Sequence, residues 1–250
     1  MKGIFENKIV FVTGSTRGIG LHIAKKFSLN GAKVFLNGRD QKFFKSAIEF
    51  IPDAQIIKGD LTNPATLKKV TDELKERVKN IDILVCNLGS GSSVKPGDEN
   101  NDEWKRMFEL NFFSAVNTID HLKSQLIKRS GSILCISSIC GNKVIEGAPL
   151  TYSCSKAALN AYVKCSANLF GEKGIRINAI APGNILFEGS SWDKKIKQNK
   201  KLTDNILKNK VPLSRFGNPE EIADLACFLS SPKAAFVTGS IWDIDGGQSF

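Results

Sequence analysis

Residues 9–20 read IVFVTGSTRGIG, and this stretch decides the fold. Its first five residues form an apolar run of strand length, and from Gly18 to Asn30 the apolar residues recur with helical spacing. The glycines between the two elements permit a tight turn and a close approach of the backbone to a pyrophosphate. The first turn of the helix presents free N–H groups and the positive end of its dipole. Glycines also mark ordinary turns, but a glycine loop between the first strand and the first helix favours a nucleotide site.

The same alternation of strand and helix continues through the rest of the chain. Predicted strands cover residues 9–13, 33–37, 55–58, 83–87, 132–137, 175–181 and 240–245. Predicted helices cover residues 18–30, 41–50, 64–79, 102–128, 152–172 and 219–229. Several strands are apolar throughout, as expected when helices cover both faces of a parallel sheet. The sequence therefore predicts one α/β domain over residues 1–250, with a doubly wound, seven-stranded parallel sheet flanked by helices.

Residues 185–215 interrupt this alternation. The segment is rich in lysine and contains no clear strand. In a doubly wound sheet, such an insertion usually lies over the carboxyl ends of the strands, where ligands bind. We therefore predict that residues 185–215 form a lid over the substrate.

Composition narrows the class of protein further. The chain has 250 residues, of which 42% are hydrophobic, which is enough to form one large core within a single domain. No apolar run approaches the ~20 residues of a membrane span, and the N-terminus lacks the apolar region of a secretion signal, so a cytoplasmic protein is predicted. The six cysteines form no C-x-x-C pair and there are two histidines, so no metal site is expected.

The net charge of +10 has two interpretations. It fits an acidic partner, such as nucleic acid, an anionic carrier or a phosphorylated substrate, or it is a lysine-rich background spread over solvated faces. Because no basic stripe is interleaved with aromatic residues, we do not expect nucleic acid to be the partner.

The spacing T-G-x-x-x-G-x-G at residues 13–20 resembles the glycine motif of the short-chain dehydrogenase/reductase family, and the resemblance extends from Lys8 to Gly247. It implies a single-domain Rossmann fold that binds a nicotinamide dinucleotide. The residues that it implies for the cofactor are Gly14, Ser15, Thr16, Arg17, Gly18, Ile19, Gly20, Arg39, Asp60, Leu61, Asn87, Gly89, Tyr152, Lys156, Pro182, Gly183 and Ile185.

The end of the second strand indicates which nicotinamide cofactor is bound. An acidic residue there would bind the ribose hydroxyls of NAD and repel a 2′-phosphate. The family's discriminating position falls on Gly38, with Arg39 beside it, and Arg17 is a second cation within reach of the same phosphate. NADP(H) is therefore predicted. A one-residue shift of the alignment would place Asp40 at this position and favour NAD(H), although we prefer Asp40 as the cap of the next helix.

The catalytic residues implied by the resemblance are Asn111, Ser138, Tyr152 and Lys156. Tyr152 and Lys156 stand one helical turn apart, and a nearby ammonium is expected to lower the pKa of the tyrosine. By resemblance, Tyr152 exchanges a proton with the substrate oxygen, Ser138 hydrogen-bonds that oxygen, Lys156 holds the nicotinamide ribose, and Asn111 supports a water chain. Ser137 is the rival of Ser138, which we prefer because Gly141 follows it at the family's spacing.

The chain departs from the family pattern at three places near this site. Leu88 stands where relatives have alanine, and Phe187 where a threonine commonly contacts the nicotinamide carboxamide. Ser190 or Ser191 is a candidate to replace that threonine. The segment 141–151 is one residue longer than in many relatives, which predicts a different shape of the substrate pocket.

These residues predict an NADP(H)-dependent enzyme that transfers a hydride between nicotinamide and a carbonyl or secondary alcohol. A 3-oxoacyl-carrier-protein reductase is the preferred substrate class, since Arg129 and Lys173 fall near positions where such reductases carry basic residues that dock the acidic carrier. Alternatives are an enzyme acting on a sugar, polyol or polysaccharide precursor, and a non-catalytic NADP sensor. The family also implies a homotetramer or homodimer in which helices 102–128 and 152–172 pack across a dyad.

Overall fold

The computed structural model describes residues 3–126 and 130–248. Arg129 and the predicted helix end at Lys128 lie outside the described residues. The sheet contains seven strands, all parallel, in the order β3-β2-β1-β4-β5-β6-β7, which confirms the predicted doubly wound fold. The strands are β1 Ile9–Val12, β2 Lys33–Gly38, β3 Gln55–Lys58, β4 Ile83–Cys86, β5 Ser132–Ile136, β6 Arg176–Pro182 and β7 Ile241–Ile244.

Helices connect the strands and cover both faces of the sheet. Those within the described residues are α1 Gly18–Leu29, α2 Phe44–Phe50, α3 Pro64–Arg77, α4 Asn101–Phe108, α5 Ser114–Leu122, α6 Leu150–Gly171, α7 Ser191–Gln198, α8 Lys200–Lys210 and α9 Pro219–Ser230. No helix among the described residues combines the length and the apolar character that crossing a bilayer requires.

Two hydrophobic cores form because successive strand residues point to opposite faces. On β1, Phe11 belongs to the core shared with α3, α5 and α6, whereas Val10 and Val12 belong to the core shared with α1 and α9. All three side chains are fully buried. The central strands therefore hold rigid positions, and their carboxyl ends are fixed platforms for polar side chains.

The prediction of a single helix over residues 102–128 is wrong in two respects. Its last part, α5, already ends at Leu122 within the described residues, and the helix is also interrupted. It is divided by a π-helical turn, Glu109–Phe113, between α4 and α5. The amide of Asn111 bonds back to α4, since its Nδ2 donates to the carbonyl of Met107 at 3.1 Å. π-Helical turns inside α-helices often mark functional sites, and this one directs a fully buried asparagine toward the sheet.

Candidate active site

A cavity of about 560 Å³ opens at the carboxyl ends of the strands, beside the junction of β1 and β4. Connections leave the sheet in opposite directions there, which is where open α/β sheets bind ligands. The predicted cofactor and catalytic residues that line it are Gly14, Thr16, Arg17, Gly18, Ile19, Arg39, Asp60, Leu61, Asn87, Gly89, Ser138, Tyr152, Lys156, Pro182, Gly183 and Ile185.

Two predicted cofactor residues lie behind the wall of the cavity. The hydroxyl of Ser15 is buried and donates to the carbonyl of Val12 at 2.6 Å. A Cβ at Gly20 would lie 2.4 Å from Nδ2 of Asn87, so only glycine fits this position. Both residues shape the glycine loop from within and do not face the cavity.

The glycine loop is held open by hydrogen bonds from Asn87. Its Nδ2 donates to the carbonyls of Thr13 at 3.0 Å and Gly14 at 2.9 Å. The loop turns through Gly14 and Gly18, whose φ angles are +58° and +59°. No side chain caps α1 and no acidic residue lies in its first turn, so its N–H groups stay available to an anion.

Gly18 gives the first testable prediction. We expect Gly18→Ala to weaken NADPH binding by roughly tenfold or more, because a methyl group would intrude where backbone N–H groups approach a phosphate. Its Cβ would also lie 2.6 Å from the ring of Phe187. The measurement is the dissociation constant from NADPH fluorescence. Gly147→Ala is the matched control, since Gly147 has φ +74° but no atom within 4 Å of an added Cβ. Equal binding by the two variants would contradict this prediction.

The ends of β2 and β3 form the part of the cavity predicted to bind the adenosine. Gly38 carries no acidic side chain, and a Cβ there would lie 2.6 Å from the side chain of Thr16. Arg39 donates to Asp60 at 2.8 Å. Burial acts to raise the pKa of Asp60, but hydrogen bonds from Thr62 and Arg39 outweigh it and lower the pKa overall. Arg39 is thus already paired with a carboxylate.

Arg17 and Asp40 complete this end of the cavity. The Arg17 guanidinium lies 5.3 Å from the centre of the Phe43 ring and is exposed. Asp40 accepts a hydrogen bond from the backbone N–H of Lys42 at 3.4 Å, which confirms the predicted capping role. Arg17 is therefore the cation at this end that has no carboxylate partner within the described chain.

Ser138 and Tyr152 meet at the other end of the cavity. Ser138 follows β5, and its Oγ accepts the backbone N–H of Cys140 at 3.2 Å. Ser137 instead directs its hydroxyl to the carbonyl of Lys156 at 3.4 Å and so ties β5 to α6. Gly141 allows the close packing of these segments, since a Cβ there would lie 2.6 Å from the Lys156 backbone. The geometry thus favours Ser138 over Ser137 as the hydroxyl beside the phenol.

The predicted effect of Lys156 on Tyr152 is wrong. Burial raises the pKa of Tyr152 to about 12, and the hydrogen bond with Ser138 lowers it only in part. Burial lowers the pKa of Lys156 to about 8. The ammonium donates instead to the carbonyl of Ile136 at 2.8 Å. Desolvation is the largest contribution to the pKa of both groups, and the charge of Lys156 does not contribute at Tyr152.

Asn111 lies directly behind Gly89. Its Oδ1 accepts the backbone N–H of Ser90 at 2.9 Å, and its Nδ2 donates to the Ser90 carbonyl at 3.2 Å. A Cβ at Gly89 would lie 2.8 Å from Oδ1 of Asn111 and 3.1 Å from Nζ of Lys156. Asn111 therefore anchors the loop after β4 beside the lysine, a role that the sequence pattern did not indicate.

Two of the three departures from the family pattern, Leu88 and Phe187, pack against glycines of the loop. Leu88 contacts Gly14, where an added Cβ would lie 3.0 Å from the Leu88 Cα, and Phe187 covers Gly18. Ser190, a candidate to replace the missing threonine, already accepts the N–H of Asp193 at 3.0 Å as the cap of α7. Phe187 thus brings an aromatic surface to the phosphate end of the cavity.

Residues that the sequence analysis missed also line the cavity. Trp192, at the start of α7, forms part of the wall, as does Gly189; Ser191, a predicted candidate, lies beside them. On the opposite side Arg106 lines the cavity while it donates to Glu103 at 2.7 Å and to the carbonyl of Ser92 at 3.0 Å. The amphipathic pattern of α7, with Trp192 and Ile196 on one side, is the signal that could have indicated this helix.

Comparisons with known proteins extend over the whole chain. Residues 14–249 match the family model described as enoyl-(acyl carrier protein) reductase. The 3-oxoacyl-(acyl carrier protein) reductase FabG of Chlamydia muridarum is 33% identical over 100% of both chains. A short-chain dehydrogenase/reductase from Serratia marcescens has 27% identity and a TM-score of 0.90, covering 98% of this chain and 99% of that one. L-Sorbose reductase from Gluconobacter frateurii, complexed with NADPH and L-sorbose, has 29% identity and a TM-score of 0.90 over 100% and 99%.

Proposed function

The chain belongs to the short-chain dehydrogenase/reductase family, and we propose that it reduces the 3-oxo group of an acyl chain carried as a thioester. It is an NADP(H)-dependent oxidoreductase that acts on carbonyl and alcohol groups. The observation that carries the proposal is the convergence of Ser138, Tyr152 and Lys156 in the same cavity as the uncapped start of α1. A cytoplasmic location and a homotetramer or homodimer belong to this proposal.

The residues of the cavity fit a nicotinamide dinucleotide phosphate. The uncapped first turn of α1 suits the pyrophosphate, and Gly38 with Arg17 suits a 2′-phosphate. Lys156 and Gly89 lie where the nicotinamide ribose would be held. When bound, the cofactor supplies or accepts the hydride, and the protein provides position and a proton.

Tyr152 acts as the proton donor in the reductive direction. With a pKa of about 12, its phenol stays protonated at neutral pH, yet it is a stronger acid than the product alcohol, so it can protonate the alkoxide that develops from the carbonyl. Ser138 donates a hydrogen bond to the same oxygen and stabilises its growing negative charge. Ser138 is buried and Tyr152 is half-buried, which limits their contact with water and strengthens these interactions.

Full-length similarity to a 3-oxoacyl-(acyl carrier protein) reductase favours a carrier-bound substrate. Lys173 is exposed, as docking of an acidic carrier requires. A second candidate is a sugar or polyol substrate, because a solved relative is an L-sorbose reductase and the hydroxyl-bearing residues Ser90 and Ser92 line the cavity. A non-catalytic NADP sensor is disfavoured, since the Ser138, Tyr152 and Lys156 set is intact.

The test is NADPH oxidation, followed by absorbance, with two substrate sets. One set is acetoacetyl thioesters of coenzyme A and of an acyl carrier protein, and the other is L-sorbose and related sugars and polyols. A kcat/KM at least tenfold higher for the thioesters is expected. Preference for the sugars would replace the proposed substrate by the second candidate, and NADPH binding without any turnover would favour the sensor.

Arg17 gives the second testable prediction. We expect Arg17→Met to raise the KM for NADPH by roughly tenfold or more, since a charged hydrogen bond to phosphate would be lost. The KM for NADH is expected to stay unchanged. Arg39→Met is the comparison variant and is expected to have a smaller effect, because Arg39 is paired with Asp60. An equal rise of KM for both cofactors would argue against contact of Arg17 with the 2′-phosphate.

A further inference from the structure

Trp192 and Lys195 stand three residues apart on α7, so their side chains share one face of the helix. Trp192 lines the cavity, and its ring packs against Phe216 at 5.4 Å between centroids. The Nζ of Lys195 lies 4.4 Å from the centre of the Trp192 ring. The indole is thus held in place from one side and carries an ammonium group on its face.

The charge of Lys195 reaches the catalytic end of the cavity. Burial raises the pKa of the Cys140 thiol, and the positive charge of Lys195 acts in the opposite direction. Cys140 lies two residues after Ser138, whose Oγ accepts its backbone N–H. The ammonium of Lys195, which lies over the ring of a cavity residue, is therefore near enough to act on the segment that follows Ser138.

Five cations around the cavity have carboxylate partners, whereas Lys194, Lys201 and Lys208 have none among the described residues. The pairs are Lys197 with Asp193, Lys200 with Asp204, Lys210 with Glu146, Arg215 with Glu221 and, on the opposite wall, Arg106 with Glu103. No carboxylate pairs with Lys195 in residues 3–126 and 130–248. Its charge remains available to a group that enters the cavity.

We propose that Lys195 and Trp192 form an anion subsite at the mouth of the cavity, which binds a phosphate or carboxylate carried by the substrate at a distance from its carbonyl. The indole offers a flat apolar surface to the part of the substrate between the carbonyl and the anion. The ammonium, held over this surface, supplies the opposite charge. This subsite rests on the proposed function, because it selects among substrates of the same reaction.

The kinetic test compares two matched pairs of 3-oxo substrates. Acetoacetyl-phosphopantetheine is paired with acetoacetyl-pantetheine, and acetoacetate with ethyl acetoacetate, so each pair differs in one anionic group. For Lys195→Gln we expect a roughly tenfold higher KM for the charged member of one pair. The kcat values and the KM for the neutral member are expected to stay unchanged. The pair that responds identifies the source of the anion. Lys201→Gln, at an exposed lysine of α8, is the control and is expected to match the parent protein.

Equal changes for charged and neutral substrates, or none, would overturn the subsite. A second measurement does not depend on turnover. The protein saturated with NADP⁺ is titrated with inorganic phosphate, and the fluorescence of Trp192 is isolated by subtraction of a Trp192→Phe titration. A saturable change that Lys195→Gln removes is expected, whereas the same titration curve in that variant would reject the subsite.

The two measurements separate the subsite from the proposed function. A phosphate response that requires Lys195, without turnover of any acetoacetyl compound, would leave the subsite standing and refute the proposed substrate. Turnover of the thioesters without any Lys195-dependent selectivity or phosphate response would support the proposed substrate and refute the subsite.

Discussion

Tyr152→Phe is expected to lower the kcat of carbonyl reduction by about 10²- to 10⁴-fold, the range typical of a lost general acid. The phenol is the proposed proton donor, it lines the cavity beside Ser138, and its raised pKa keeps it protonated throughout the neutral range. Removal of one oxygen leaves the ring, and therefore the packing of α6 on β5, in place. The dissociation constant of NADPH is expected to change by less than about twofold.

The chain offers a matched control for this experiment. It contains two tyrosines, and Tyr162 lies on the same helix, where burial raises its pKa as well. Tyr162 is not among the cavity residues, so Tyr162→Phe is expected to retain the parent kcat. Single-turnover rates at saturating NADPH, with the NADPH dissociation constant measured in parallel, separate chemistry from binding. Full activity of Tyr152→Phe would remove Tyr152 from the mechanism.

The fold and the position of the cavity could be predicted because their signals are local in sequence. Apolar strand runs alternate with helical periods from Ile9 onward, and the glycine loop lies between the first pair. Parallel strands place their carboxyl ends at one edge of the sheet, so the residues that follow the strands lie close together there. The cap formed by Asp40 follows from the same local rules.

What could not be predicted depends on contacts between distant segments. The pairing of Arg39 with Asp60 arises because β2 and β3 lie side by side in one register, Gly38 opposite Lys58. The π-helical turn at Asn111 adds one residue to a turn without any change in the apolar pattern. These features require three-dimensional neighbours, which the sequence pattern alone does not identify.

The predicted direction of the pKa change at Tyr152 is wrong for a related reason. A lysine one turn away predicts a lowered pKa if both groups are hydrated, but burial here opposes the charged form of each. The extent of burial depends on how closely α6 packs on β5, and Gly141 determines that distance. Because of the same burial, the charge of Lys156 lowers the stability of the folded state, although the proposed function uses this lysine.

Lys156→Met is expected to change how stability depends on pH. Burial lowers the pKa of Lys156 from 10.5 to about 8, against the smaller opposing effects of Cys135 and Cys86. Since a tenfold difference in proton affinity is worth about 1.4 kcal/mol, the charged lysine destabilises the folded state by about 3 kcal/mol at pH 7. The unfolded chain binds more protons between pH 8 and 10.5, so this penalty disappears as the pH rises through that interval.

Methionine carries no charge and has a similar length, so it avoids the penalty at every pH, although it leaves the carbonyl of Ile136 without its hydrogen bond. The free energy of unfolding of Lys156→Met, relative to the parent, is therefore expected to fall by up to about 3 kcal/mol between pH 7 and 10.5. Urea unfolding across this range measures the difference. Lys164→Met, at an exposed lysine of the same helix, is expected to show no such trend. A flat difference for Lys156→Met would mean that the folded protein leaves the pKa of this lysine near its usual 10.5.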